Sequence, residues 1–138
     1  GAFAVARRGD LRALRRHFME GTAALGVDGQ GRSVLFAAAE SGSLRCVREC
    51  LRNGVHVNKS DRKGRTVLHH ICARVHSAPS ERILAYLLAK GADPEIGDRR
   101  GDTALGLAAA AGRVRYCAVL LQFEADPNVR ASGGGGPL

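Results

Sequence analysis

The amino-acid sequence predicts an all-α solenoid, a stack of similar helix-turn-helix units. The pattern D-x-x-G-x-[ST]-x-L begins at Asp28, Asp61 and Asp98, with 33 residues between the first two starts and 37 between the last two. An Ala-rich and then a Leu-rich segment follow each start, with the apolar spacing of a helix. Aromatic residues make up only 4% of the 138 residues, so the core must be built from Leu, Val and Ala. This composition favours packed helices over a β-sandwich.

The first helix of each unit is predicted to begin directly after the hydroxyl residue of the pattern. Ser33, Thr66 and Thr103 each precede an apolar stretch, and each hydroxyl can accept a free backbone N–H as an N-cap. Gly42 and Gly112 follow two of these stretches. We expect both glycines to end a helix in the left-handed conformation.

The second helix of each unit is predicted from apolar residues that recur every three to four positions. They are Leu44, Val47, Cys50 and Leu51; Ile83, Leu84, Leu87 and Leu88; and Val114, Cys117, Leu120 and Leu121. Small-residue turns follow, and Gly21, Gly54 and Gly91 mark where these helices end.

This organisation resembles the ankyrin repeat, a 33-residue unit of a β-turn and two antiparallel helices with a T-P-L-H-x-A signature. The resemblance implies an ankyrin-repeat domain over residues 1–130, whose units are joined by β-turn or hairpin loops. The units are 1–27, 28–60, 61–97 and 98–130, the first without its opening turn, and residues 131–138 are a Gly-rich flexible tail.

Several residues depart from the family signature. The proline after the capping residue is absent, and His69 alone matches the signature histidine, which in the family hydrogen-bonds within and between turns. Phe36 and Gly106 take its place in the neighbouring units, and Glu124 stands where a glycine is expected. The third unit holds four inserted residues within 73–81, with Ser77 as a possible cap and Pro79 in the first turn of the next helix.

The resemblance implies a non-catalytic scaffold that binds another protein through a concave face of turn tips and first helices. The candidate partner-binding residues on that face are Arg32, Lys59, Arg62, Lys63, Arg65, His70, Arg74, Arg99 and Arg100. Guanidinium groups bind carboxylates and phosphates through paired hydrogen bonds. The predicted partner is therefore an extended acidic or phosphorylated segment.

The net charge of +8, from 21 basic and 13 acidic residues, leaves an alternative open. The chain could be a regulatory domain of a nuclear or transcription-associated protein, whose basic charge assists nucleic-acid binding. The charge is spread as +3, +2, +2 and +1 over the four units, so no unit holds a concentrated block. Six arginines of the second helices are predicted to form solvated outer faces: Arg12, Arg15, Arg16, Arg45, Arg48 and Arg52.

We predict neither an enzyme nor a cofactor, because no phosphate-binding loop or nucleophile elbow occurs. The candidate metal ligands in the sequence are Cys46, Cys50, His69, His70 and Cys72. The cysteines fall at apolar helix positions, which favours reduced thiols in the core and no metal. No run of about 18 apolar residues and no secretory signal occurs. We therefore expect a monomeric intracellular protein, cytoplasmic or nuclear, without membrane insertion.

Overall fold

A computed structural model describes residues 1–21, 26–73 and 80–123 of the chain. Eight α-helices lie within these ranges, and they confirm the predicted all-α solenoid. Their bounds are α1 Ala2–Arg7, α2 Leu11–Met19, α3 Val34–Ser41, α4 Leu44–Arg52, α5 Val67–Ala73, α6 Glu81–Ala89, α7 Ala104–Ala110 and α8 Val114–Gln122. None of these helices is long and apolar enough to span a membrane.

The helices form two layers. The odd-numbered helices pack in sequence, α1 on α3, α3 on α5 and α5 on α7, while α2, α4, α6 and α8 pack in the same order beside them. Each odd-numbered helix also contacts the helix that follows it. Helices α3 and α7 are rich in alanine, and small side chains such as the fully buried Ala38 and Ala108 allow neighbouring helices to pack closely.

The core between the layers is built mainly from aliphatic side chains, as the composition predicts, with Tyr116 as a large aromatic member. The Tyr116 hydroxyl accepts a hydrogen bond from the backbone N–H of Ser80 at 3.0 Å. Helix α8 lies where the apolar spacing predicts it, although two residues of that pattern are exposed, Val114 at 77% and Leu121 at 48%. No element within the described residues packs on the far side of α8, so these side chains have no helix to cover them.

The three predicted N-caps differ in what the hydroxyl does. Thr103 is confirmed as a cap, since its Oγ1 atom accepts the Gly106 N–H at 3.2 Å. The prediction for Ser33 is wrong, because its buried hydroxyl has no hydrogen-bond partner among the described residues. The Phe36 N–H donates instead to the backbone carbonyl of Ser33, at 3.1 Å. The Thr66 hydroxyl lies 3.1 Å from the His69 side chain.

The predicted glycine stops are confirmed, and both Gly42 and Gly112 have a positive φ, of 78° and 71°. The predictions for the insertion, which involve Arg74, Ser77 and Pro79, fall outside the described residues, as do those for Glu124 and the Gly-rich tail. The following helix, α6, begins at Glu81 with Ser80 at its N-cap position.

Candidate functional site

The tip of each repeat is a loop whose shape is set by its first aspartate. The Oδ1 atom of Asp61 accepts the backbone N–H groups of Lys63 at 2.8 Å and Arg65 at 3.0 Å. Asp28 and Asp98 make the equivalent pairs of bonds in their own loops. The aspartate of the D-x-x-G pattern therefore holds the loop closed, a role that the sequence analysis did not assign to it. Its strict recurrence was the signal that could have shown this.

Neighbouring loops are joined through their backbones. Arg62 donates its N–H to the carbonyl of Gln30 at 2.9 Å, and Arg99 donates to the carbonyl of Lys63 at 3.0 Å. This approach leaves little room for a side chain at Gly64, which has a φ of +75° and whose added Cβ would lie 3.0 Å from the Arg99 nitrogen. The loops consequently form one ordered row, in which the backbone at Arg62, Lys63 and Arg99 is held in place.

Two of the candidate arginines are bound within the chain. The Nε atom of Arg32 lies 2.9 Å from Asp28 Oδ2, and that of Arg65 lies 3.1 Å from Oδ2 of Asp98 in the next loop. Both guanidinium groups are half-buried. Their part in partner binding stays a prediction, and in the free chain they brace the row of loops.

The carboxylate of Asp98 is kept ionised by its surroundings. Burial alone would raise its pKa, but the N–H groups of Asp102 and Arg100 and the Arg65 guanidinium outweigh burial. The pKa of Asp98 therefore lies below its ordinary value of 3.8. This charge compensates Arg65 across the boundary between two units, so Arg65 contributes little free positive charge to the tips.

The other five candidate cations of the loops remain available to a partner. They are Lys59, Arg62, Lys63, Arg99 and Arg100. Each of the five is exposed, and none makes an ion pair with another described residue. Lys59 also lines a shallow groove with Val27 and His56, and Val27 is 47% exposed. The row thus presents free positive charge together with a small apolar contact.

His70 lies on the layer of odd-numbered helices, between two neighbours. Its ring meets the edge of the buried Phe36 ring, with 5.6 Å between centroids, and its Nε2 atom lies 3.9 Å from a carboxylate oxygen of Glu40. Glu40 also pairs with Arg7 at 3.6 Å. This part of the face is of mixed charge, unlike the loops, and Arg74 lies outside the described residues.

His69 is a buried link between units. Its Nδ1 atom accepts the Thr66 N–H at 2.9 Å, and its Nε2 atom lies 2.7 Å from the carbonyl of Asp102, to which it donates. These bonds require a neutral ring, and burial lowers the pKa of His69 below 6.5, which favours that state. The expected bonds within and between turns are confirmed, and His69 does not face a partner.

The cysteines are free thiols, with Cys46, Cys50 and Cys72 buried and Cys117 half-buried. Burial raises the pKa of Cys50 and of Cys72 to about 12, so both thiols stay protonated at neutral pH. Among the described residues, no group of three His, Cys, Asp or Glu side chains is arranged to hold a metal ion. The cysteines therefore act as small apolar side chains in the core.

A second basic surface appears only when the units are stacked. Helices α2 and α4 pack side by side, and together they carry six exposed arginines and one glutamate: Arg12, Arg15, Arg16, Arg45, Arg48, Arg52 and Glu49. We call this surface the α2–α4 face. The six arginines are exposed, as predicted, and the packing of α2 against α4 joins their two outer faces into one surface shared by two units. Arginine recurs 33 residues apart, at Arg12 and Arg45 and at Arg15 and Arg48. This recurrence was the sequence signal from which the shared surface could have been predicted.

Comparison with known families agrees with this architecture. A model described as ankyrin repeats (3 copies) matches residues 2–98, and one described as ankyrin repeat matches residues 100–132. The chain is also similar to ankyrin repeat domain-containing protein 63 of Mus musculus, with 38% identity over 61 residues. That alignment covers 44% of the chain and 16% of the mouse protein, so the chain spans a small part of this relative's length.

Proposed function

The chain belongs to the ankyrin-repeat family, whose members bind other proteins, and from this premise we propose that it is a non-catalytic adaptor for an extended acidic or phosphorylated segment. The segment lies along the row of repeat loops. Its anionic groups meet five exposed cations: Lys59, Arg62, Lys63, Arg99 and Arg100. The surface of the odd-numbered helices, with His70 and Glu40, forms the adjoining wall.

One observation carries this proposal: the loops keep free cations on a rigid support. The backbone bonds from Arg62 to Gln30 and from Arg99 to Lys63 fix the places from which these side chains leave the chain. Little backbone entropy is then lost when a partner binds, so more of the interaction energy appears as affinity. Loops of this kind, on a rigid scaffold, are the usual location of binding residues.

The aspartates of the loops neutralise this surface only in part. The carboxylates of Asp28, Asp61 and Asp98 accept hydrogen bonds from their own loops, and two of them are paired with Arg32 and Arg65. The five remaining cations outnumber the two loop carboxylates that make no ion pair with a described residue, Asp61 and Asp102, so the surface keeps a net positive charge. This charge favours an anionic partner and disfavours a basic one.

The test measures affinity for a fluorescein-labelled peptide of alternating Glu and phosphoserine, and for its Gln and Ser counterpart, by fluorescence anisotropy. The wild-type chain should bind the first peptide more tightly. The variant Arg62→Glu, Lys63→Glu, Arg99→Glu should bind it about 10- to 100-fold more weakly, because three exposed ion pairs of about 0.5–1 kcal/mol each are lost.

The matched control reverses three arginines elsewhere, Arg12→Glu, Arg45→Glu and Arg48→Glu, and changes the net charge equally. It should retain most of the wild-type affinity for the peptide. Equal weakening by both triple variants would show that total charge, and not the row of loops, attracts the peptide. Tighter binding to duplex DNA than to the peptide, falling steeply with salt, would instead favour the nucleic-acid alternative.

A further inference from the structure

The α2–α4 face concentrates positive charge on two neighbouring helices. On α2, residues 12, 15, 16 and 19 follow the spacing i, i+3, i+4 and i+7, so they share one stripe of the helix. Residues 45, 48, 49 and 52 form the equivalent stripe on α4. The two helices together carry six arginines against one glutamate, a net charge of +5 with histidine neutral.

Glu49 orders this surface and neutralises only a part of it. Its carboxylate lies 3.2 Å from Arg15 Nε and 3.8 Å from Arg52 Nη1, and its own side chain is only 11% exposed. It also accepts a hydrogen bond from the Asn53 side chain at 2.9 Å. Arg15 and Arg52 are thereby positioned, while both remain more than half exposed.

The placement of Arg12 and Arg45 works against helix stability. Each is the second residue of its helix, where the helix dipole disfavours a cation; the Asp10 carboxylate caps α2 and offsets this, whereas α4 has a neutral cap and no acidic residue in its first turn. Neither arginine makes an ion pair with any described residue. Local structure therefore gives no reason for a cation at Arg45, whereas an anionic ligand on this face does.

An exposed apolar side chain continues the arginine stripe. Met19 is 88% exposed at the end of α2, and it lines one shallow depression with Leu11, Arg12, Arg15 and Arg16. An apolar side chain amid cations gains by entering the boundary between lipid headgroups and acyl chains. It gains nothing from a phosphodiester backbone. Phe18, the phenylalanine of α2, is buried and cannot stack on the bases of a single-stranded nucleic acid.

We propose that the α2–α4 face attaches the protein peripherally to a membrane surface rich in anionic phospholipids. The arginines contact the headgroup phosphates and carboxylates, and Met19 enters the interfacial layer. This face shares no residue with the row of loops, so the attachment is independent of the adaptor function proposed above.

The test is flotation of the protein with lipid vesicles at about 0.1 M salt, where the Debye length is about 10 Å. The wild-type chain should float with phosphatidylcholine vesicles that contain about 30% phosphatidylserine, and not with pure phosphatidylcholine. The variant Arg12→Gln, Arg45→Gln, Arg48→Gln leaves both Glu49 ion pairs in place. Each arginine near the membrane surface contributes about 1 kcal/mol, which is about a fivefold change in the partition coefficient. The partition coefficient of the triple variant should therefore fall about 100-fold. Met19→Gln should reduce it roughly fivefold.

The matched control, Arg62→Gln, Lys63→Gln, Arg99→Gln, removes the same charge from the loops and should float like the wild type. Circular dichroism of both triple variants checks that they are folded. The proposal would be overturned if both triple variants lost flotation with the anionic vesicles to the same extent. It would also be overturned if the wild-type chain bound neutral and anionic vesicles equally. Binding to a DNA duplex without binding to the anionic vesicles would also overturn it and would assign the face to nucleic acid.

Discussion

Replacing His69 with phenylalanine tests the hydrogen bonds that join the third and fourth units. The His69 ring accepts the Thr66 N–H at 2.9 Å and donates to the Asp102 carbonyl at 2.7 Å. Each bond contributes about 1 kcal/mol, and a buried group left without its partner costs about 1–3 kcal/mol. Thr66 is buried, so we expect the free energy of unfolding to fall by about 2–4 kcal/mol. Phenylalanine is suited to the position, because Phe36 occupies it in the second unit.

The same substitution should remove a pH dependence of stability. Burial holds the pKa of His69 below 6.5, so below that pH the unfolded chain binds a proton more readily than the folded chain. The stabilisation by neutral His69 is therefore complete above pH 6.5 and decreases as the pH falls towards the folded pKa. The decrease approaches about 1.4 kcal/mol for each pH unit. The difference in the free energy of unfolding between wild type and His69→Phe should therefore become smaller as the pH falls.

Urea unfolding followed by far-UV circular dichroism, at about pH 7.5 and about pH 5.5, measures both effects. The exposed His56 provides a matched control, and His56→Gln should change stability by no more than about 0.5 kcal/mol. Two results would refute the assigned role of His69. One is a loss of less than about 0.5 kcal/mol in the free energy of unfolding of His69→Phe. The other is a difference in this free energy between wild type and variant that stays the same on acidification.

Two further predictions concern the loops and the caps. Gly64→Ala should destabilise the fold by at least about 1–2 kcal/mol, because Gly64 has a positive φ and lies close to the Arg99 backbone. Gly29→Ala should change stability by less than about 0.5 kcal/mol, because Gly29 faces open space. Thermal unfolding compares the two, and equal effects would contradict the close approach of the loops. Thr103→Ala should cost about 1 kcal/mol through loss of its cap bond, while Ser33→Ala should be neutral or stabilising because that hydroxyl is buried without a partner among the described residues. A larger loss for Ser33→Ala than for Thr103→Ala would reverse this assignment.

Local signals in the sequence were sufficient for the helices and for most of their ends. The repeated hydroxyl residue marked where α3, α5 and α7 begin, and Gly42 marked an end correctly, because each depends on nearby backbone geometry. Ser33 shows the limit of such signals. Its position is that of a cap, but the amide it would bond, that of Phe36, pairs with the Ser33 carbonyl instead.

Features that depend on contacts between units were harder to predict from the sequence. Arg65 looked like a free cation of the loop, and only stacking brings it to Asp98 of the next loop. Val114 has the apolar spacing of a core residue, but burial requires a neighbour beyond α8, and none lies within the described part of the chain. The arginines of the α2–α4 face were predicted to be solvated, but their joining into one surface depends on the packing of α2 against α4.

The central claim is that the exposed cations of the repeat loops bind an acidic segment. Two-dimensional ¹H–¹⁵N NMR during titration with the Glu and phosphoserine peptide tests it directly, because each amide reports its own surroundings. The largest shift changes should fall on residues 59–63 and 99–100, with little change in α2 and α4. Saturable binding with shifts confined to α2 and α4, or with unaltered loop amides, would contradict the claim.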